Sequence, residues 1–375
     1  MTDMLPLAGM RVIELSSFVA APLGGMTLAQ LGADVIRVDQ EGGGPDIDRW
    51  PLAPSGKSLY WAGLNKGKRS VEVDLRSAEG RTAVARLIED AGIVLTNAPP
   101  RPGLTYEELR RKRPDLIHVQ LVGMREGGNA VDYTVNAATG FPSLTGQEGA
   151  DVPSNHVLPA WDIACGLYLT VGLLAAERHR LRTGEGRGVQ VALSDVALAT
   201  AGNLGYLAEA QLGGRRPRLG NYLFGDFGRD FATGDGRVMV VVLTARHWHD
   251  LLQVTGMGEV AEALERALDA DFRTAGDRYH HREALAGILT PWFAGRTCAE
   301  VEERLKGTSV LHSRYRDFAD IVTDLHTRPL MAELDQPGIG PHLAPGSPLV
   351  FDGVPIAPVA APALGGHTGE ILGTP

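Results

Sequence analysis

Cysteine is almost absent from this chain of 375 residues, which has only Cys165 and Cys298. Two cysteines far apart in sequence cannot build a disulfide framework, and they show no zinc-ligand spacing. No metal is expected, and a reducing cytoplasm fits. Positive charge is also short, with 36 Lys and Arg against 45 Asp and Glu and a formal charge of −9. A phosphate-tracking surface needs a basic face, so a nucleic-acid partner is disfavoured and any phosphate binding must be local. The N-terminus, MTDMLPLAGMRVIELS, lacks a basic stretch followed by an apolar one, and no later run is uninterruptedly apolar over a spanning length. The expectation is a protein neither exported nor membrane-embedded. Two motifs are missing as well. The first βα turn reads SSFVAAPLGG instead of G-x-G-x-x-G, which disfavours a nicotinamide or flavin dehydrogenase. No G-x-S-x-G elbow occurs, which disfavours an α/β-hydrolase.

What is present is a loop-rich globular composition, 44% hydrophobic and 22% charged, with 47 Gly and 23 Pro, and a length that suggests two domains. Residues 10–15, 34–38, 70–75, 93–96 and 116–121 read as short buried strands. Residues 22–31, 78–91 and 106–113 read as helices between them. Such alternation argues for a parallel sheet covered by helices. A long helix is expected over 163–182, with Ile163, Leu167, Val171 and Leu174 on one face and the cationic run ERHRLR at its negative end. A strand at 189–193 and a helix at 195–210 follow. From 221 to 327 the texture changes to a strand pair around FATGDGRVMVVVL and further helices, the pattern of a smaller second domain. The Pro- and Gly-rich tail, 328–375, reads as an extended return to the first domain, 1–220, with a short terminal helix.

Candidate residues each have a plain structural reading beside the functional one. Gly24 and Gly25 permit close backbone approach to a ligand, or mark helix packing. Lys66, Lys68, Arg69 and Arg76 in LNKGKRSVEVDLR would supply phosphate-binding charge, or form a solvated mixed-charge surface, which local reasoning favours. Asp162 in VLPAWDIACG stands directly before the long helix, where it would act as an N-cap. The same dipole would keep a nucleophilic carboxylate ionised. His156 and His179 read as a loop hydrogen-bonding residue and a helix C-terminal partner.

Four blocks carry a resemblance: LAGMRVIEL, LAQLGADVIRVD, the N-x-x-K-R-S-x-x-x-D-L block from Asn65 to Leu75, and HVLPAWDIACGLYLTVGLLAAERHRLRTGEGRGVQVALSD. In order and spacing, over nearly the whole chain, they resemble the class III coenzyme A transferases of the CaiB/BaiF type. That family includes acyl-CoA racemases and carnitine, oxalate and bile-acid CoA-transferases. The resemblance implies an α/β fold with a discontinuous Rossmann-like large domain, 1–220 and 328–375, a smaller central α+β domain, 221–327, and two interlocked chains. It implies an acyl-CoA substrate, with coenzyme A bound as part of it and no tightly held cofactor. Asp162 falls on the family's catalytic aspartate, at the head of a D-x-x-x-G-x-x-x-x-x-G-x-L-A-A helix. CoA contacts fall on Phe18, Val19, Val73, Arg76 and Asn97. Gln40 stands where many members have an adenine-stacking arginine, and Arg101 lies in the altered turn Asn97-Ala-Pro-Pro-Arg101-Pro-Gly.

Racemases of the family pair the aspartate with a histidine, and here GGNAVDY puts Asn129 at that position. Asparagine cannot shuttle a proton, so covalent CoA transfer is favoured over racemisation. The blocks DRWP, SLYWAGLNKGKRS, VDYTVN and GRDFATGDGRVMVV resemble a subgroup that moves CoA between the two carboxyls of one dicarboxylic acid. A free carboxylate must then be held, with Arg49, Tyr133, His156 and Arg229 as candidates. An intramolecular transferase, an intermolecular one and a non-catalytic CoA-binding relative all remain open at this point.

Overall fold

The structure is a computed structural model that describes residues 5–373. The chain divides into two compact units. One comprises Met1–Thr139, Val157–Gly214 and Thr323–Pro375, and the other Gly140–His156 and Arg215–Val322. Residues 140–156, assigned to the first domain from sequence, fall with the second unit.

In the first unit, β1 (Arg11–Leu15) leads through α1 (Ala20–Gln30) to β2 (Asp34–Asp39). Next come α2 (Leu59–Leu64), β3 (Arg69–Glu72), α3 (Ala78–Ala91), β4 (Ile93–Thr96), α4 (Tyr106–Lys112) and β5 (Ile117–Val122). The short helix α5 (Asp132–Ala138) follows, and α6 (Phe141–Leu144) belongs to the second unit. The first unit resumes with α7 (Ala160–Thr183), β6 (Gly188–Ala192), α8 (Leu193–Asn203) and α9 (Tyr206–Gln211). The single helix expected over 195–210 is thus two, parted at Gly205, whose φ of +82° no helix interior adopts.

The six strands form one sheet in the order β3-β2-β1-β4-β5-β6, and every pairing is parallel. β1, β2 and β4 are buried nearly throughout, as strands covered on both faces must be. The strand order reverses between β1 and β4, and ligands of such sheets bind at the carboxyl edge of that reversal.

On one side of the sheet α1 and α7 cross with almost no side chain between them. A Cβ on Gly166 would lie 2.8 Å from the Ala20 carbonyl oxygen, and one on Gly24 3.0 Å from that of Gly166. Gly25 has a different purpose, since a Cβ there would sit 1.6 Å from Oε2 of the fully buried Glu14. Gly24 and Gly25 therefore serve packing. The Glu14 carboxylate receives Lys68 Nζ at 2.8 Å, and the same ammonium donates to Asn65 Oδ1 and the Pro22 carbonyl. Burial lowers the pKa of Lys68 to about 8. Lys66 is also buried and donates to the Pro345 carbonyl at 2.8 Å, while Arg69 pairs with Asp34 and Glu370. The solvated mixed-charge surface expected at these positions is corrected: Lys66 and Lys68 are interior struts, and only Arg76 is exposed.

In the second unit β7 (Phe227–Ala232) and β8 (Arg237–Val242) form the expected strand pair, and it is antiparallel. α10 (Ala245–Thr255), α11 (Gly258–Leu268), α12 (Ala275–His280), α13 (Arg282–Ala294) and α14 (Cys298–Leu305) follow. β9 (Leu311–Arg314) adds a third strand beside β8, and α15 is Phe318–Val322. Phe227, Phe231, Trp248, Phe272 and Phe293 centre the core, with Phe231 stacked on Phe293 at 4.2 Å. The tail returns to the first unit through the hairpin β10 (Met331–Gln336) and β11 (Gly340–Pro345), the pair β12 (Val350–Phe351) and β13 (Val354–Pro355), and α16 (Thr368–Leu372). His367 exchanges hydrogen bonds with the Ser70 backbone, and Thr368 Oγ1 accepts from Glu72 N.

The Gly25–Glu14 approach makes a stability prediction. Gly25→Ala must push the carboxylate off Lys68 and should cost about 3–5 kcal/mol, as breaking a buried pair does. Gly63→Ala, on an exposed face of α2 with open space around it, should be neutral or slightly stabilising. Denaturant midpoints that coincide for the two variants would sink the argument.

Candidate active site

Residues that directly follow parallel strands share one edge of the sheet. Phe18 comes after β1, Gln40 after β2, Val73 and Arg76 after β3, and Asn97 and Arg101 after β4, so the six lie along the carboxyl edge. The turn after β1 is the best fixed. Phe18 has φ +67°, a conformation rarely adopted by a bulky residue. Its N–H donates to Asp46 Oδ2 at 3.1 Å. Asn97 clamps the preceding residue on both sides, accepting from Ser17 N at 3.0 Å and donating to Ser17 O at 2.8 Å. Strain held by surrounding bonds is common where a backbone meets a ligand. The Val19 and Val73 side chains belong to the core, so only their backbones can face a ligand. Gln40 is exposed and donates to the Gly43 carbonyl. Arg101 Nε is buried with no partner among the described residues.

The position of Asp162 differs from the sequence reading. α7 begins at Ala160, so Asp162 is a residue of its first turn and not its N-cap. The capping is done from elsewhere. Asp132 of α5, 3% exposed, accepts from Trp161 N at 2.8 Å and from Asp162 N at 3.2 Å through the same oxygen. The Asp162 carboxylate is thereby released from backbone duty, and it has no hydrogen bond to a described residue. Burial first, and then the charge of Asp132, raise its pKa from 3.8 to about 6, with Arg49 pulling the other way. The dipole was expected to hold the carboxylate firmly ionised, and desolvation outweighs it. One turn on, burial and the two aspartates push the Cys165 thiol up to about 12, so it offers no thiolate.

Arg49 approaches this carboxylate from the segment before α2. Its guanidinium lies 5.4 Å from the Phe18 ring centroid and 4.9 Å from that of Tyr60. Two aromatic faces thus hold a cation that forms no ion pair with a described residue. The Tyr60 hydroxyl is buried with no partner among the described residues, and burial pushes its pKa up to about 12, so it remains a donor. Tyr133, next to Asp132, is 53% exposed. His156 and Arg229 belong to the second unit. There Arg229 stacks on Tyr222 and Phe231 and lines a polar cleft of about 510 Å³ with Asn221, Asp230 and Arg237. His179 lies 3.9 Å from Glu185 near the end of α7, and Asn129 sits exposed in the loop before α5. Sequence reasoning missed Asp132 and Tyr60. Both stood inside quoted blocks, VDYTVN and SLYWAGLNKGKRS, yet no local rule distinguishes a remote cap or a buried hydroxyl.

The face of α7 expected from its apolar spacing is also the other one. Trp161, Cys165, Leu169, Leu173 and Ala176 point inward, whereas Ile163, Leu167 and Val171 are exposed and Leu174 is half-buried. Among the described residues α7 alone is long and apolar enough to cross a membrane by length and composition. Its inward face packs on α1 and β5.

Comparison with known proteins adds a history to this geometry. The chain is 52% identical to the 2-methylfumaryl-CoA isomerase of Chloroflexus aurantiacus, over 98% of this chain and 92% of that one. It is 32% identical to the succinyl-CoA:mesaconate CoA-transferase of Haloarcula hispanica, covering 98% and 95%. The crystal structure of a CaiB/BaiF family protein from Brucella suis superposes with a TM-score of 0.82 at 26% identity, covering 98% of each chain. The family model for CoA-transferase family III matches residues 7–368, a span that contains every element supplying the carboxyl edge and the head of α7. The chain belongs to CoA-transferase family III.

Proposed function

We propose that this enzyme moves coenzyme A between the C1 and C4 carboxyls of 2-methylfumaryl-CoA (mesaconyl-CoA), with Asp162 as the covalent carrier. The observation that carries the mechanism is a half-buried aspartate at a helix head whose capping duty another aspartate has taken over. The substrate rests on the 52% identity to the isomerase.

The Asp162 carboxylate attacks the C1 thioester carbonyl, the C–S bond breaks, and a mixed anhydride and CoA thiolate result. The thiolate attacks the aspartyl carbonyl, breaking the anhydride so that the diacid's C1 carboxylate leaves while the diacid stays bound, and forming an aspartyl thioester. The C4 carboxylate then attacks that thioester and frees the thiolate again. Attack of the thiolate on the C4 carbonyl finishes the new thioester and restores Asp162. Each step exchanges carboxylate for thiolate, so no proton shuttle is required, and Asn129 in place of a histidine is no defect. Keeping the diacid in place turns a second encounter into an internal one.

The Phe18 and Val19 backbone, Gln40, Val73, Arg76, Asn97 and Arg101 form the CoA edge in this reading. Arg49 and the Tyr60 hydroxyl hold the free carboxylate, offering a charge and a donor without an acceptor between them. Tyr133 is a second candidate, and His156 and Arg229 have no assigned step. The chain acts as an interlocked homodimer in the cytoplasm, with a large CoA-binding domain and a small one. Ile163, Leu167 and Val171, exposed along α7, give an apolar surface that a second copy would cover.

Purified protein incubated with 2-methylfumaryl-CoA alone should interconvert the C1 and C4 isomers, followed by chromatography. Conversion that appears only after a separate acid is added would establish intermolecular transfer instead. Asp162→Ala should lower kcat on the order of 10³-fold or more while calorimetry still detects CoA binding. Retained turnover removes the nucleophile assignment. Sedimentation should give twice the 40.0 kDa chain mass, and a fully active monomer would exclude the dimer.

Stability should show the cost of the site. A carboxyl with a folded pKa of about 6, against an ordinary 3.8, favours folding fully only below the ordinary value. That contribution is lost as pH rises through about 6, amounting to up to about 3 kcal/mol before solvent screening. Asp162→Asn should therefore raise Tm at pH 8 and raise it less at pH 5. An equal or opposite trend contradicts the assigned ionisation.

A further inference from the structure

The pairing of Asp132 with the head of α7 is an unusual use of a second carboxylate. A helix start needs one acceptor for its free N–H groups, and Ser, Thr or Asn would cap without adding charge. Here the acceptor is a 3% exposed aspartate from a different helix, and it binds the N–H of the reactive residue itself. Sequestering a charge there costs stability that a neutral cap would not. The neighbouring groups define what that charge acts on. The titratable and charged groups acting on Asp162 are Asp132 from α5 and Arg49 from the segment before α2. Tyr60 of α2 and Cys165 of α7 also feel its charge. α1, packed along α7, brings Ala20 and Leu23 against Gly166, neither of which titrates.

We propose that Asp132 is a positioning residue for the reaction: it caps α7 in place of Asp162, fixes the Asp162 backbone, and sets a negative charge beside the nucleophile that keeps it basic. The inference rests on the reading of Asp162 as nucleophile. A carboxylate that is ionised at neutral pH yet more basic than a free aspartate attacks better, and in the mixed anhydride it is the poorer leaving group, which disfavours return to the starting thioester. Arg49 limits the effect, since an unopposed second anion in a desolvated site would leave Asp162 protonated at neutral pH.

The test separates capping from charge. Asp132→Asn and Asp132→Ser each retain an acceptor for the α7 N–H groups and lose the negative charge, whereas Asp132→Glu retains the charge. The pH profile of kcat/KM for 2-methylfumaryl-CoA should show an acid limb near about 6 in the parent enzyme. In both neutral variants removal of the anion favours ionised Asp162, so the limb should move about one pH unit lower. In Asp132→Glu it should stay near the parent value. Infrared difference titration of protein carrying ¹³C-labelled aspartate, read against Asp162→Asn, reports the same ionisation without turnover. Unchanged midpoints in both neutral variants, or an upward movement, would overturn the proposal and leave Asp132 a plain helix cap. If the parent enzyme turns over no 2-methylfumaryl-CoA, the substrate reading fails, and the infrared midpoints alone decide the role of Asp132.

Discussion

Arg37, on β2, is fully buried, and its guanidinium spans the sheet interior to join Asp39, Asp46 and Asn65. Lys68 completes the array by reaching Glu14 and the same Asn65 oxygen. Burying such charges costs several kcal/mol per ion unless geometry and further hydrogen bonds recover it. Each residue therefore constrains the others: β1, β2, α2 and β3 cannot shift without leaving a charge unpaired. The array also reaches the reactive edge. Asp46 accepts from Arg37 through both oxygens and from the Phe18 N–H through one of them, so the left-handed turn after β1 is anchored to the sheet interior. Arg49, three residues beyond Asp46, then rests on the Phe18 ring.

This dependence explains which features could be read from sequence and which could not. α3 and β4 fall at Ala78–Ala91 and Ile93–Thr96, as expected, because their boundaries are local: Ser77 caps α3 by accepting from Gly80 N, and Gly92 ends it at φ +68°. α7 had no such local start, since the cap that sets its first residue lies in another helix. Its buried face was equally ambiguous. A helix apolar on most sides carries no periodic signal for which side meets the sheet, and the glycines that let α1 approach decide it instead. Lys66 and Lys68 looked like surface charge for a related reason. Nothing in LNKGKRS shows that Glu14, Asn65 and a carbonyl from the tail converge on them.

The candidate site was legible to a similar degree. Asp162 was found through resemblance, and the features that give its chemistry are tertiary: a cap from α5, a cation held between two rings, and a hydroxyl with no partner. The structure also separates the roles of nearby groups by their acidity. Cys165 and Tyr60 are pushed to about 12 and stay protonated, whereas Asp162 at about 6 is ionised at neutral pH. One ionised carboxylate and one donor remain, which suits the proposed reaction, one that exchanges anions and moves no proton.

In the proposed mechanism, intramolecular and intermolecular transfer share every covalent step. They differ only in whether the diacid leaves while Asp162 carries the thioester, which is a competition between re-attack and dissociation. Re-attack depends on orientation, and dissociation on how strongly the second carboxylate is held. A guanidinium already neutralised by a protein carboxylate would hold it weakly. Arg49 is instead fixed by the faces of Phe18 and Tyr60, which orient it without neutralising it, so its charge remains available to the substrate. If Arg49 holds the second carboxylate, as proposed, the two rings, more than the nucleophile, tip a general CoA-transferase mechanism toward the isomerase outcome.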